Sequence, residues 1–250
     1  MSDERTKGGQ EIIRSVREER GWTPPELDGE VREAVEAHLE RFLGGTSSVW
    51  HEIVSDLVHI DVYKFEPTPE RPYFTLVTSG MSDLPMTVPE GMEDAARAEL
   101  LLCLPPDWPL GHTGEISTQG DLADFNNYWP IHTLKYLAKM PHEYRTWLGW
   151  GHSIPNGDPA QPIANTKFTG SIIGPVVTLP DEFVRLEVGG KTVWFYAVYP
   201  VYTEEMQFKI DNSEGADALF ERFEKASVTE LIDPLRKNVC ARRFFGRFLS

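Results

Sequence analysis

The sequence predicts an α/β (α+β) protein in which helices flank a mixed β-sheet, and three observations lead to this prediction. The runs Tyr73–Thr78 and Glu99–Leu104 are rich in β-branched, aromatic and aliphatic residues and end near Gly or Pro, which is typical of buried strands. A longer run of the same kind, Thr192–Tyr199, indicates a central strand. Between Asp28 and Gly44, apolar residues recur at helical spacing.

Composition and length indicate one globular domain with a large core. The chain has 250 residues, of which 40% are hydrophobic and 25% are charged, close to the averages of globular proteins. We expect a flexible N-terminal segment over residues 1–25, one domain over residues 26–235, and a basic aromatic tail over residues 236–250. The tail has five cationic residues and no acid, and we expect it to dock on the acidic body, because its phenylalanines would otherwise be exposed.

The net charge restricts the classes of partner. It is -15, from 39 acidic residues against 24 Lys and Arg, which argues against binding a phosphate backbone, so we expect no nucleic-acid partner. Cys103 and Cys240 form no CxxC pair, which favours a reducing cytoplasm. The N-terminal residues are charged and no apolar run approaches about 18 residues, so we expect no signal peptide and no membrane partner.

The elements of the first half follow from capping and periodicity. Asp28 stands before a helical pattern and Gly44 ends it, so a helix is predicted between them. Alternation over Leu57–Phe65 predicts a strand. A helix is predicted near residues 121–128, and Pro130 is placed at the first turn of a principal helix that Pro141 closes.

The second half shows strands followed by helices. Gly189 and Gly190 predict a turn into the central strand. Ser227 and Glu230 form a capping-box pattern, which predicts that the C-terminal region is mostly helical. The other predicted elements are the strands Gly170–Leu179 and Phe183–Val188 and the helices from Thr203 through Phe208 and over Ala216–Ala226.

Few residues carry a chemical signature. His112, His132, His142 and His152 match no known ligand spacing, and no HExxH occurs, so we expect neither a metal site nor a cofactor. His59 is interpreted as a satisfied or exposed strand residue. A GxSxG elbow, a P-loop and a GxGxxG motif are all absent.

The loop Gly151–Pro159 is the most site-like segment, because it combines a histidine, an amide and a carboxylate beside two tryptophans. A structural loop and a recognition surface are equally compatible with this composition. A second group of polar residues, Ser79–Asp83, follows a strand end, where functional loops commonly lie.

Several motifs in one order suggest a family. The chain resembles the bacterial branch of the Suppressor of Fused domain family over roughly residues 30–240. The motifs that carry this resemblance are His59–Tyr63, Pro67–Asp83, Arg97–Trp108, Trp150–Pro159 and Tyr202–Met206.

The resemblance implies a Suppressor of Fused-like single α/β domain that binds protein and has no enzymatic activity. The animal protein sequesters a zinc-finger transcription factor by gripping a peptide that adds a strand between its domains, and this chain resembles its N-terminal domain alone. Bacterial relatives have been proposed to be immunity proteins that neutralise toxins. The resemblance matches Tyr136 to a groove tyrosine and His152 to a groove histidine, whereas Gly151 stands where an acidic residue helps to hold the peptide.

Our leading hypothesis is therefore a non-enzymatic, cytoplasmic protein-binding domain whose acidic surface blocks a basic toxin. The alternatives are strand addition at a sheet edge and a small-molecule enzyme that uses the Gly151–Pro159 loop with Ser79 and Asp83. No catalytic residue is assigned, and the oligomeric state is left open. The candidate partner-binding residues are Tyr136, Trp150, His152, Asn156, Asp158, Ser79, Ser82 and Asp83.

Overall fold

The computed structural model describes residues 4–14, 16–17, 20–25, 27–52, 56–110 and 124–241. His112 and tail residues 242–250 lie outside this described part. Within it, no helix is both long and apolar enough to cross a membrane. The described helices are α1 (Gly29–Leu43), α2 (Phe125–Glu143), α3 (Thr203–Asp211) and α4 (Ala216–Lys225).

The strands form one mixed sheet, which confirms the predicted fold class. Their order is β1-β2-β3-β4-β8-β6-β5, and β7 pairs with the first residues of β8. The β4–β8 pair is parallel and all other pairs are antiparallel. The strands are β1 (Ser48–Trp50), β2 (Asp61–Phe65), β3 (Phe74–Ser79), β4 (Ala98–Leu104), β5 (Ser153–Pro155), β6 (Gly170–Gly174), β7 (Arg185–Val188) and β8 (Lys191–Val201).

The sheet separates two apolar cores, one on each face. All seven residues of β4 are buried, and successive residues of a strand point to opposite faces. Leu100 and Leu102 therefore pack with α2, whereas Leu101 packs in the core that α1 and α4 cover. The continuous apolar run that predicted β4 is typical of a strand buried on both faces.

Helix α1 forms where the sequence predicts it. The carboxylate of Asp28 accepts a hydrogen bond from the backbone N–H of Val31 at 3.4 Å, and Gly44 follows the last helical residue. Val31, Val35 and Leu39 are at most 1% exposed, so the helical stripe lies on the sheet.

Helix α2 is longer than predicted and contains both prolines. It begins at Phe125, where Asp124 accepts a hydrogen bond from the N–H of Asn126 at 2.9 Å. The prediction that Pro130 lies in the first turn is wrong, because this aspartate caps the helix earlier in the sequence. Trp129 and Ile131, on either side of the proline, are buried, and this packing outweighs the cost of a proline inside the helix.

Residues 226–241, the described part of the chain after α4, contain no helix, so the capping-box prediction at Ser227 and Glu230 is wrong. Glu230 is fully buried, and its carboxylate accepts hydrogen bonds from the N–H groups of Val177 and Thr178 at 3.0 and 2.9 Å. Backbone hydrogen bonds also join Cys103 to Glu230 and to Ile232. These long-range contacts hold the segment extended beside β4.

The following residues are bound to α3 through a buried ion pair. The guanidinium of Arg236 contacts both carboxylate oxygens of Glu205, at 2.7 and 2.5 Å, and Glu205 is fully buried. The N–H of Val239 donates to the same carboxylate at 3.0 Å.

Candidate functional site

The segment Ser79–Asp83 forms a buried turn at the end of β3. The carboxylate of Glu99, on the neighbouring strand, accepts hydrogen bonds from the hydroxyl of Ser82 at 2.6 Å and from the N–H of Gly80 at 2.9 Å. Burial raises the pKa of Glu99, although these hydrogen bonds oppose the shift. Ser79 and Ser82 are at most 1% exposed, so the turn holds the sheet together and does not present its hydroxyls to a ligand.

Arg32 connects this turn to the start of β2. Its guanidinium donates to Asp83 Oδ2 at 2.9 Å and to the carbonyl oxygen of His59 at 2.8 Å, and it lies 3.4 Å from Asp61 Oδ2. Burial raises the pKa of Asp83, while the contact with Arg32 opposes that shift. Asp83 is thus a buried ion-pair residue that ties α1 to the sheet.

The loop Gly151–Pro159 lies at the β5 edge of the sheet, opposite the β1 edge. Trp150 is 44% exposed and stacks on Phe220 of α4, with ring centroids 4.9 Å apart. The ring of His152 packs edge-on against Trp147 at 4.3 Å. Burial lowers the pKa of His152 to about 4, and nearby Lys209 adds to this shift, so the imidazole is neutral at pH 7.

The polar residues of the loop have different environments. The side-chain amide of Asn156 donates to the carbonyls of Gln161 and Pro162 at 2.9 and 3.2 Å, which closes the loop on itself. Asp158 is exposed and precedes a cis peptide bond to Pro159. Asn156 therefore has a structural role, whereas the side chain of Asp158 is accessible from solvent.

The structure does not bring the two candidate regions together. Strands β4, β8 and β6 lie between β3, which ends at Ser79, and β5, which begins at Ser153. Four steps between strands of about 4.8 Å put the regions roughly 19 Å apart. Because an acid and a base must reach one substrate, this separation argues against an active site that combines His152 with Asp83.

The comparison with protein families decides the identity. Residues 56–237 match the family model described as Suppressor of fused protein (SUFU), which is more than half of the chain. The chain belongs to the SUFU family. Among curated proteins, none matches this sequence.

Solved structures agree with this fold at low sequence identity. A SUFU homologue from Neisseria gonorrhoeae is 16% identical, with a TM-score of 0.58, and the match covers 84% of this chain and 97% of that chain. A structure described as the Sufu–Fu complex is 15% identical, with a TM-score of 0.55 and coverage of 86% and 93%. These structures show the SUFU fold, and the family indicates a regulatory, protein-binding class.

The two groove residues that the resemblance matches, Tyr136 and His152, lie on different elements. Tyr136 is 47% exposed on α2, whereas His152 lies in the loop before β5, where its ring packs against Trp147. Gly151 has a φ of +75°, and a Cβ added there would lie 2.9 Å from the Cβ of Ala216. An acidic side chain does not fit at this position, because the loop runs directly against α4.

Sequence reasoning missed two features of this SUFU-family domain. The first is the β5 edge itself, since a strand of three residues shows no periodicity. Lys209 lies beside it, with Nζ 3.3 Å from the hydroxyl of Ser153, and burial lowers the pKa of this lysine. The second is a group of His51, His59 and Asp61 at the start of β2, the one set in the described part of the chain with the spacing of metal ligands.

Proposed function

We propose that this SUFU-family domain is a non-enzymatic protein-binding domain that acts as an immunity protein in the bacterial cytoplasm and neutralises a basic toxin. The family supports protein binding in general, and the Sufu–Fu complex is an example from a relative. The observation that carries the choice of a basic partner is the arrangement of acidic residues on one side of the domain.

This acidic face is built by α1 and the segment that precedes β8. In α1, four exposed glutamates follow at three- and four-residue spacing, so they share the side opposite the buried stripe. The backbone carbonyl of Phe183 lies 2.9 Å from His38 Nε2, which places the segment beside α1. The acidic face consists of Glu30, Glu33, Glu36, Glu40, Asp181, Glu182 and Glu187.

The charge of this face fits a cationic partner. Arg41 and Arg185 are the exposed cations of the same two segments, and Arg185 is already paired with Glu187 at 2.6 Å. Like charges held close together raise the local potential and steer an oppositely charged protein into contact. Association should therefore be fast at low salt and should weaken as salt screens the face.

Strand addition at β5 is the second candidate mode of binding. Among the described strands, β5 pairs with β6 alone, so its outer edge is open. Exposed Trp150 lies just before this edge and offers an aromatic contact to an added strand. The edge alone does not select a basic partner, and for this reason we assign recognition to the acidic face.

A charge-reversal experiment tests the proposal. The variant Glu33→Lys/Glu40→Lys changes two exposed residues of the acidic face. The matched control Asp217→Lys/Glu224→Lys makes the same change of charge on the exposed side of α4. Wild type and control should retain the same basic polypeptide from a low-salt lysate of the source organism. The purified polypeptide should then bind the acidic-face variant at least about tenfold more weakly than it binds wild type.

The outcomes separate the two modes. Equal loss of affinity in both variants, or a retained partner that is acidic, would contradict recognition by the acidic face. Unchanged affinity in both, combined with loss in Trp150→Ala, would instead assign binding to the β5 edge. If the retained polypeptide is not toxic to cells that lack this protein, the immunity role is wrong.

A further inference from the structure

Three potential metal ligands meet at the start of β2, and they are independent of the acidic face. Asp61 Oδ1 lies 3.2 Å from His51 Nδ1 and 3.0 Å from His59 Nε2. The three ligand atoms all lie within 4.8 Å of one another. Two imidazoles and one carboxylate are the donor set of many zinc sites with an open position.

The strand pairing explains why these residues meet. In the antiparallel β1–β2 pair, Trp50 lies opposite Val62. The same register carries His51, one residue further, to the side of Asp61. His59 precedes Asp61 by two residues, and alternate residues of an extended chain point to the same side.

The distances suit one ion bound to all three side chains. Zinc binds imidazole nitrogen and carboxylate oxygen at about 2.0–2.2 Å, and tetrahedral angles then put two ligand atoms roughly 3.3 Å apart. The two measured contacts, 3.2 and 3.0 Å, are already close to this separation. Rotation of the exposed His51 ring can bring the remaining pair to the same distance, since its side chain is 69% exposed.

The neighbours of Asp61 hold its carboxylate in the orientation of a ligand. Arg32 contacts Oδ2 at 3.4 Å, which directs Oδ1 towards the histidines. The N–H of Glu52 also donates to Oδ1, at 3.2 Å. Such contacts from outside the ligand set orient metal ligands in known sites.

More groups surround Asp61 Oδ1 than its lone pairs can serve through hydrogen bonds, which favours a bound metal ion. Two imidazoles and the Glu52 N–H all face this one oxygen, whereas a carboxylate oxygen has about two lone pairs to offer. A metal ion would use one lone pair together with both ring nitrogens, and the N–H of Glu52 would keep the other.

We propose that His51, His59 and Asp61 form a binding site for Zn²⁺. Imidazole ligands favour zinc over Mg²⁺ and Ca²⁺, which take oxygen ligands. Water or a side chain of a partner completes the fourth position on the open side next to His51. Because His51 follows β1 and Asp61 begins β2, the ion would tie the edge strand β1 to the sheet.

The test is metal titration of protein previously treated with a chelator. Wild type should bind one Zn²⁺ with an increase in melting temperature, and Co²⁺ in its place should give the visible absorption of a site with nitrogen and oxygen ligands. His51→Ala and His59→Gln should each weaken Zn²⁺ binding more than about tenfold. The control His132→Ala removes an exposed histidine of α2 that lies outside the cluster.

The readouts distinguish a built site from adventitious binding. Loss of the single Zn²⁺ in both cluster variants, with retention in the control, supports the site. The proposal is overturned if wild type binds no Zn²⁺ or if His51→Ala binds it as tightly as wild type does. It is also overturned if all three variants weaken Zn²⁺ binding equally. His51→Ala keeps the test valid, because truncation of an exposed side chain leaves the core intact.

Discussion

Single residues in this domain show how burial changes their chemistry. His142 was one of the histidines that the sequence presented without an assigned role. In the fold, its Nε2–H donates to the carbonyl oxygen of Met81 at 3.0 Å. Burial lowers the pKa of His142 to about 4, and nearby Arg97 adds to this shift.

This shift predicts a loss of stability in acid. The unfolded histidine takes up a proton near pH 6.5, whereas the folded one does so only near pH 4. Its contribution to the free energy of unfolding is therefore complete above pH 6.5 and is lost as the pH falls towards 4. His142→Gln keeps a donor for Met81 but cannot titrate, so its loss of stability over that interval should be smaller than that of wild type by on the order of 2 kcal/mol.

Denaturant unfolding at a series of pH values measures this difference. His152→Gln should reduce the pH dependence in the same direction, because burial also lowers the pKa of His152 to about 4. Parallel stability–pH curves for wild type and both variants would show that these imidazoles are not responsible.

At the scale of elements, the turn after β3 depends on a glycine. Gly80 has a φ of +115°, and a Cβ there would lie 2.0 Å from the carbonyl oxygen of His59 and 2.6 Å from Arg32 Nη2. The turn, the start of β2 and α1 therefore meet without room for a side chain.

The matched comparison is with Gly91, which has a φ of +84° and no atom within 4 Å of an added Cβ. Gly91→Ala tests backbone strain alone and should cost about 1 kcal/mol. Gly80→Ala adds a clash with backbone atoms and should cost about 3 kcal/mol or more. Chemical denaturation measures both, and equal costs would mean that the contact with His59 relaxes without penalty.

At the scale of the whole molecule, the chain after α4 belongs to the folded unit at least as far as Val239. Glu230 supports the segment after β6, and Arg236 neutralises the fully buried Glu205. From these contacts we propose that the folded domain extends beyond residue 235, the boundary expected from the sequence.

Two truncations test where the folded unit ends. A chain that ends at Ala241 keeps Arg236 and serves as the reference. A chain that ends at Leu235 leaves Glu205 buried without its cation and should lose about 3–5 kcal/mol. Arg236→Ala in the Ala241 chain should reproduce most of that loss, whereas the exposed Lys237→Ala should not. If the Leu235 chain keeps full stability, the ion pair has no net role.

The sequence by itself determined the family, the fold class and the principal elements, because these depend on local signals. Asp28 and Gly44 bound α1, and alternation and apolar runs locate β3, β4 and β8. The tertiary structure alone decided which candidate residues are buried, which lie together and which edge is open. Ser82 and Asp83 are polar residues in a loop-like sequence, yet Ser82 is buried against Glu99 and Asp83 against Arg32, both distant in the chain. Ser79 is buried at the end of β3. The meeting of His51 with Asp61 likewise depends on the pairing of β1 with β2, and local sequence patterns do not identify which strands pair across the sheet.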